Sequence, residues 1–209
     1  MKVSKAIVCM LVLAFGFAAW AQEHPKVELA IDYSFVRFNP SNLYTTSHNL
    51  NGAGGSFTYN INNWLGLKAE LFGYGASTST FVIPAGNPIV PGGGTFAVSG
   101  NMFTYLFGPQ LKYRAKKVQP FAHALFGGAY SNAYANLYQQ AGVVGIDPGR
   151  NAFAMSFGGG IDIPITKTIA IRPVQVDYLM TRFGNSLVTT NQNNFRYAAG
   201  VTFYLGGKK

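Results

Sequence analysis

The sequence predicts an all-β protein, an eight-stranded antiparallel up-and-down transmembrane β-barrel, and three observations carry that prediction. From about Lys26 to Leu205 the chain runs as eight short segments in which apolar and polar residues alternate. The connections between them are, in turn, long polar loops and minimal turns. The first 21 residues have the make-up of an export signal. A strand with lipid on one face and a packed lumen on the other must alternate with period two, and a closed ring leaves no backbone edge unpaired in hydrocarbon.

The N-terminus comes first. Lys2 and Lys5 form a basic start, Ala6 to Ala19 an uncharged apolar run of 14 residues, and Ala19-Trp20-Ala21 a small-x-small cleavage site. Fourteen residues fall short of the roughly 20 that a membrane-spanning helix needs. Residues 1–21 are therefore expected to be a cleaved signal peptide and 22–209 the barrel. Cys9, the only cysteine, lies in the signal and would leave with it, so neither a disulfide nor a thiol nucleophile is expected.

The strands follow in order. In the first, Val27, Leu29, Ile31, Tyr33 and Phe35 alternate with Glu28, Ala30, Asp32 and Ser34. The second, about Gly54 to Ile61, sets Phe57, Tyr59 and Ile61 against Ser56, Thr58 and Asn60, and the third sets Leu65, Leu67, Ala69 and Leu71 against Gly66, Lys68 and Glu70. The fourth, roughly Ser99 to Arg114, turns Phe103, Tyr105, Phe107, Leu111 and Tyr113 to the apolar side and Thr104, Gly108, Gln110, Lys112 and Arg114 to the other. The fifth runs from Gln119 to Tyr130. The sixth, about Asn151 to Ile163, has Phe153, Met155, Phe157, Ile161 and Ile163 outward. In the seventh, Thr168 to about Met180, Ile169 and Ile171 face out before Pro173, and Val174, Val176 and Tyr178 after it. That change of phase reads as a bulge, because proline cannot donate to the ladder. The eighth, Asn194 to Leu205, turns Phe195, Tyr197, Ala199, Val201, Phe203 and Leu205 outward. At every strand the aromatic residues are assigned to the lipid face.

Minimal turns are expected at Asn62-Asn63, Ala115 to Val118 and Pro164 to Lys167, and long polar loops at 39–53, 75–98, 131–150 and 181–193. Such alternation is unusual inside a compact soluble domain but usual in membrane barrels, whose long loops lie on one side. Hairpin arithmetic then fixes the registers. A turn at Ala115 to Val118 sets Gln110 opposite His123 and Leu111 opposite Ala122. One centred near Ser186 to Leu187 sets Asp177 opposite Arg196.

Charge and composition narrow the function classes. Lys and Arg number 16 against 7 Asp and Glu, and loss of Lys2 and Lys5 leaves 14 against 7. The bases are scattered, with no stripe interleaved with stacking aromatics, so a nucleic-acid partner is not expected. Gly158-Gly159-Gly160, Gly127-Gly128 and the run Gly52 to Gly55 lack the Lys-Ser/Thr and strand-loop-helix setting of a phosphate loop, and more simply allow close lumen packing. His24 and His48 stand in a terminal segment and a loop, too isolated for a metal site.

The eight-strand plan, Pro120-Phe121 after a basic turn, the inward Arg172, Gln175 and Asp177, and the closing stretch Tyr197 to Leu205 resemble the small outer-membrane β-barrel family typified by the transmembrane domain of outer membrane protein A. The resemblance spans essentially all of 22–209 and lacks that protein's peptidoglycan-binding domain. It implies a monomer in the outer membrane of a Gram-negative bacterium, surrounded by outer-membrane lipids and lipopolysaccharide. Periplasmic chaperones would escort it and the barrel-assembly machinery insert it. Gly200, Phe203 and Leu205 resemble the C-terminal signal that this machinery reads. Ala198 departs from it where a polar residue is preferred, and Gly206-Gly207-Lys208-Lys209 follow where many members end on an aromatic.

The lumen-facing ionisable set is Glu28, Asp32, Lys68, Glu70, Lys112, Arg172, Asp177 and Arg196, four acids and four bases. A barrel of eight strands is just wide enough for its side chains to fill, and buried charges are costly unless paired, so the set is expected to neutralise itself as a plug. Arg172 has the alternative of turning outward at the Pro173 bulge. No cofactor is expected. Enzymatic activity is not expected either, because His123 is the one histidine within a strand and its neighbour Gln110 is no acid to orient it. The reading is thus a structural or surface-interaction role through four long external loops, whose Tyr44, Tyr134 and Tyr138 are candidate anchors. A narrow ion or proton channel and an outer-membrane lipid-modifying enzyme are the alternatives.

Overall fold

In a computed structural model the chain closes into a barrel of eight antiparallel strands. The structure describes residues 24–39, 48–75, 79–87, 90–145, 150–183 and 191–206. The expected signal peptide with Cys9, the loop residue Tyr44, the Tyr134 side chain, the Ser186–Leu187 turn and Lys208-Lys209 lie outside them. In chain order the elements are β1 (Val27–Phe38), β2 (His48–Asn60), β3 (Leu65–Gly75), β4 (Ser79–Ile83), β5 (Gly94–Val98), β6 (Asn101–Lys112), β7 (Gln119–Ser131), α1 (Ala133–Gln140), β8 (Asn151–Pro164), β9 (Ile169–Thr181) and β10 (Gln192–Leu205). The wall is β1-β10-β9-β8-β7-β6-β3-β2, with β2 returning to β1, and β4 and β5 pair as a separate hairpin.

The expected registers hold, with Gln110 opposite His123, Leu111 opposite Ala122 and Asp177 opposite Arg196. The bulge is present at Pro173. Ile161 faces Val174 but Ile163 faces Ile171, and on the other side Ala198 faces Gln175 but Gly200 faces Arg172. One extra residue in β9 is absorbed there, the Tyr197 hydroxyl donates to the Pro173 carbonyl at 2.7 Å, and Arg172 points inward.

Lipid-facing positions stand out from the wall as read, including Leu29, Ile31, Leu67, Leu71, Phe103, Phe107, Leu111, Phe157 and Phe195. Trp64 and Tyr113 are exposed at the short-turn end, where aromatic side chains suit the edge of the hydrocarbon. The turns are built from local side-chain bonds. Asn62 Oδ1 accepts from the backbone N–H of Trp64 at 2.9 Å and of Leu65 at 2.8 Å, and Thr166 Oγ1 accepts from Ile169 N–H at 2.9 Å.

Three expectations are corrected. Strand β2 starts at His48, not Gly54, so His48 belongs to the wall and the first loop ends there. The Gly-rich run hides that strand from a hydrophobicity pattern because it has no side chains to alternate; a Cβ at Gly54 would fall 2.6 Å from the Phe72 ring of β3. Two of the long loops carry structure, the β4–β5 hairpin between β3 and β6 and α1 between β7 and β8. Nor do all aromatics face lipid: Phe72, Tyr74, Phe121 and Tyr204 are buried within the barrel.

Candidate functional site

The lumen is divided into two tiers. Toward the short turns it holds charge. Lys112 Nζ lies 2.6 Å from both Glu28 Oε2 and Asp162 Oδ2, and Arg114 Nη2 lies 2.5 Å from Glu28 Oε1. Arg172 reaches Asp162 Oδ1 through Nε at 2.8 Å and Asp32 Oδ2 through Nη1 at 3.2 Å. Deeper in, Lys68 Nζ stands 3.0 Å from Glu70 Oε2, while Arg196 contacts Glu70 Oε1 at 2.5 Å and Asp177 Oδ2 at 2.7 Å. Gln175 joins the two groups: its Nε2 donates to Asp177 Oδ2 at 2.9 Å, and its Oε1 accepts from Lys68 Nζ and Arg172 Nη1, each at 3.4 Å. The Phe121 ring fills the space between Arg172, Lys68 and Lys112, at 4.6, 5.5 and 5.8 Å from its centre.

All eight residues of the expected lumen set are buried and all take part in these contacts. The sequence reading omitted two members. Asp162 was legible, since the alternation that turns Ile161 and Ile163 outward carries it inward. Arg114 was legible as well, since the alternation that turns Lys112 inward carries it to the same side; it lies just beyond the end of β6. With them the network counts five acids and five bases, so it is neutral while its members stay ionised. Ions taken from water are tolerated only when partners replace the solvent.

Two glycines let this network reach across the wall. His123 on β7 and Asp177 on β9 both register with Gly158 on the strand between them. A Cβ on Gly158 would collide with Asp177 Oδ1. In its absence His123 Nε2 approaches Asp177 Oδ1 to 2.8 Å. Gly200 likewise separates Asp32 on β1 from Arg172 on β9, and a Cβ there would fall 2.5 Å from Asp32 Oδ1. The expected assembly signal is thus split: Gly200 packs inside, whereas Leu205 is exposed and Phe203 half-buried on the outer face. His123 does have an orienting acid, Asp177, two strands along the wall and not on its own hairpin. Its Nδ1 has no hydrogen-bond partner and its side chain is wholly buried. Among the described residues no group of three or more His, Cys, Asp or Glu is placed to hold a metal.

Toward the long loops the lumen turns apolar. Val36, Leu50, Phe72, Met102, Leu106, Leu125, Ala154, Leu179 and Ala198 point inward from the eight wall strands. The cluster continues without a break into Phe81, Ile83 and Val98 of the β4–β5 hairpin and Leu137 and Tyr138 of α1. Arg196, 5.1 Å from the centre of the Phe72 ring, marks the boundary between tiers. Of the candidate loop anchors, Tyr138 is corrected: it is a buried packing residue, not an exposed anchor.

Comparison with known proteins agrees with this architecture. The family model described as "outer membrane protein beta-barrel domain" matches residues 7–203. Among solved structures, Neisserial surface protein A superposes with a TM-score of 0.62 at 11% identity, over 88% of this chain and all of that one. Outer membrane protein OprG of Pseudomonas aeruginosa gives 0.56 at 12% identity, over 86% of this chain and 96% of that one. No curated protein matches the chain. At such identities the solved structures speak for the fold alone, but the family model covers nearly the whole sequence. The chain belongs to the outer-membrane β-barrel family and is a protein of the bacterial outer membrane.

Proposed function

We propose that this protein is a sealed barrel whose work is done at the cell surface, by external loops held on a rigid base. The observation that carries the reading is the continuous apolar core joining the upper lumen to the β4–β5 hairpin and α1. A pore would gain nothing from packing Leu106, Leu125 and Leu179 across its axis, whereas a recognition surface gains from loops anchored in one geometry, because less ordering remains to be done on binding. Removal of the signal peptide, a monomeric state, a setting of outer-membrane lipids and lipopolysaccharide, and insertion by the barrel-assembly machinery through Gly200, Phe203 and Leu205 are parts of the same reading.

A narrow ion or proton path is the second reading. It draws on Asp32 Oδ1, Gln110 Oε1 and Thr202 Oγ1, buried lumen atoms with no hydrogen-bond partner, where internal water would sit. The apolar tier stands between them and the outside. Planar-bilayer recording separates the two: the sealed barrel shows no current steps above leak, and discrete conductance in the unmodified protein would replace it with the channel. The surface role is read on intact cells, where exchange of residues 84–93 for a Gly-Ser linker should change attachment to matrix-coated surfaces with the amount of assembled barrel unchanged. Unchanged attachment would remove the hairpin from the binding surface.

A further inference from the structure

The short-turn mouth of the barrel holds a feature that a surface role does not use. A cavity of about 390 Å³ opens there, between the N-terminal segment and the three short turns. Arg114, Lys116 and Lys167 line it, with His24, Asn63 and Thr166, and no carboxylate does among the described residues. Arg114 is held from two sides, its Nε donating to the Asn63 carbonyl at 3.0 Å and its Nη2 to Glu28 Oε1 at 2.5 Å. The side chain is 7% exposed, and its Nη1 is buried with no hydrogen-bond partner. A guanidinium fixed on two edges with a third donor unused is pre-organised for an oxyanion, since it presents its donors in a rigid planar fork. Glu28 already accepts from Arg114 and Asn60 on Oε1 and from Lys112 on Oε2.

From this the geometry points to a binding site for a phosphate-class oxyanion at the periplasmic mouth, with Arg114 as the buried directional donor and Lys116 and Lys167 as exposed cations that concentrate the ligand. The chemistry is shared by free phosphate and by the phosphodiester of a lipid headgroup. A monoester dianion would satisfy the mouth's excess charge better than a diester monoanion.

The test is titration calorimetry on the full mature barrel in an uncharged maltoside detergent, with inorganic phosphate, glycerophosphoglycerol and acetate as probes. Saturable phosphate binding is expected, weakened at least tenfold in Lys116→Gln/Lys167→Gln, whose exposed positions leave the fold intact by thermal melting. Arg114→Lys should weaken binding further than either single lysine change, by loss of the fork with the charge kept. Stronger binding of the phosphodiester than of phosphate would assign the site to lipid headgroups, within the proposal. Linear heats, equal affinity for acetate, or unchanged affinity in the double variant would overturn it. So would binding seen only after Glu23→Gln, which would make the chain's own carboxylate the occupant.

Discussion

Arg196 serves two carboxylates at once, Glu70 and Asp177, and that makes the two ends of the pair unequal. Asp177→Asn leaves Arg196 paired with Glu70, whereas Arg196→Gln strands two acids near Lys68 and His123. Breaking a buried pair from one side costs about 3–5 kcal/mol. The arginine change is expected to sit at the upper end of that range and the aspartate change below it, with the double mutant milder than their sum. Equilibrium unfolding of the folded barrel in detergent measures all three, and strict additivity would mean the groups are not coupled. At this scale the sequence was informative where partners share a hairpin, since counting from a turn places Asp177 against Arg196. It was silent where they do not. The meeting of His123 with Asp177 depends on a strand between them that contributes glycine at the crossing point, which no pairwise count along the chain reveals.

At the scale of elements, period-two alternation located the wall strands because lipid imposes it, and it failed where glycine or an apolar inner face removed the contrast. Half of β2 is Gly-rich, and the inward Phe72 and Tyr74 of β3 make that strand's upper end apolar on the lumen side too. The hairpin and α1 were invisible for a related reason: Phe81, Ile83 and Leu137 pack on the barrel's own inner surface, a target that exists only after closure. Where alternation holds, it makes a sharp claim. Leu67 projects from β3 toward hydrocarbon, and Leu67→Arg is expected to cost about 2–4 kcal/mol, as a cation near the bilayer midplane does. Asn191→Arg, on an exposed loop position, should be close to neutral. Folding yield in lipid vesicles compares the two, and equal yields would reverse the assignment of faces.

For the whole molecule, the three short turns and the described N-terminal end lie on one side, the hairpin and α1 on the other. Impermeant labels at cysteines replacing Gly93 or Gly142 should react on intact cells, and one replacing Lys117 only after the envelope is opened. Reaction of Lys117→Cys on intact cells would invert the orientation. The cross-barrel contacts carry a consequence for how the protein enters the bilayer. Glu28 of β1 meets Lys112 of β6, 84 residues away, and Asp32 of β1 meets Arg172 of β9 across 140 residues. Neither contact joins neighbouring strands, and the second spans the seam between β1 and β10, so it forms only when the ring shuts. A half-built sheet would present Asp32 to hydrocarbon without its arginine, along with an open edge, and both are costly. The contact of Asp32 with Arg172 is therefore one that only a completed barrel can make.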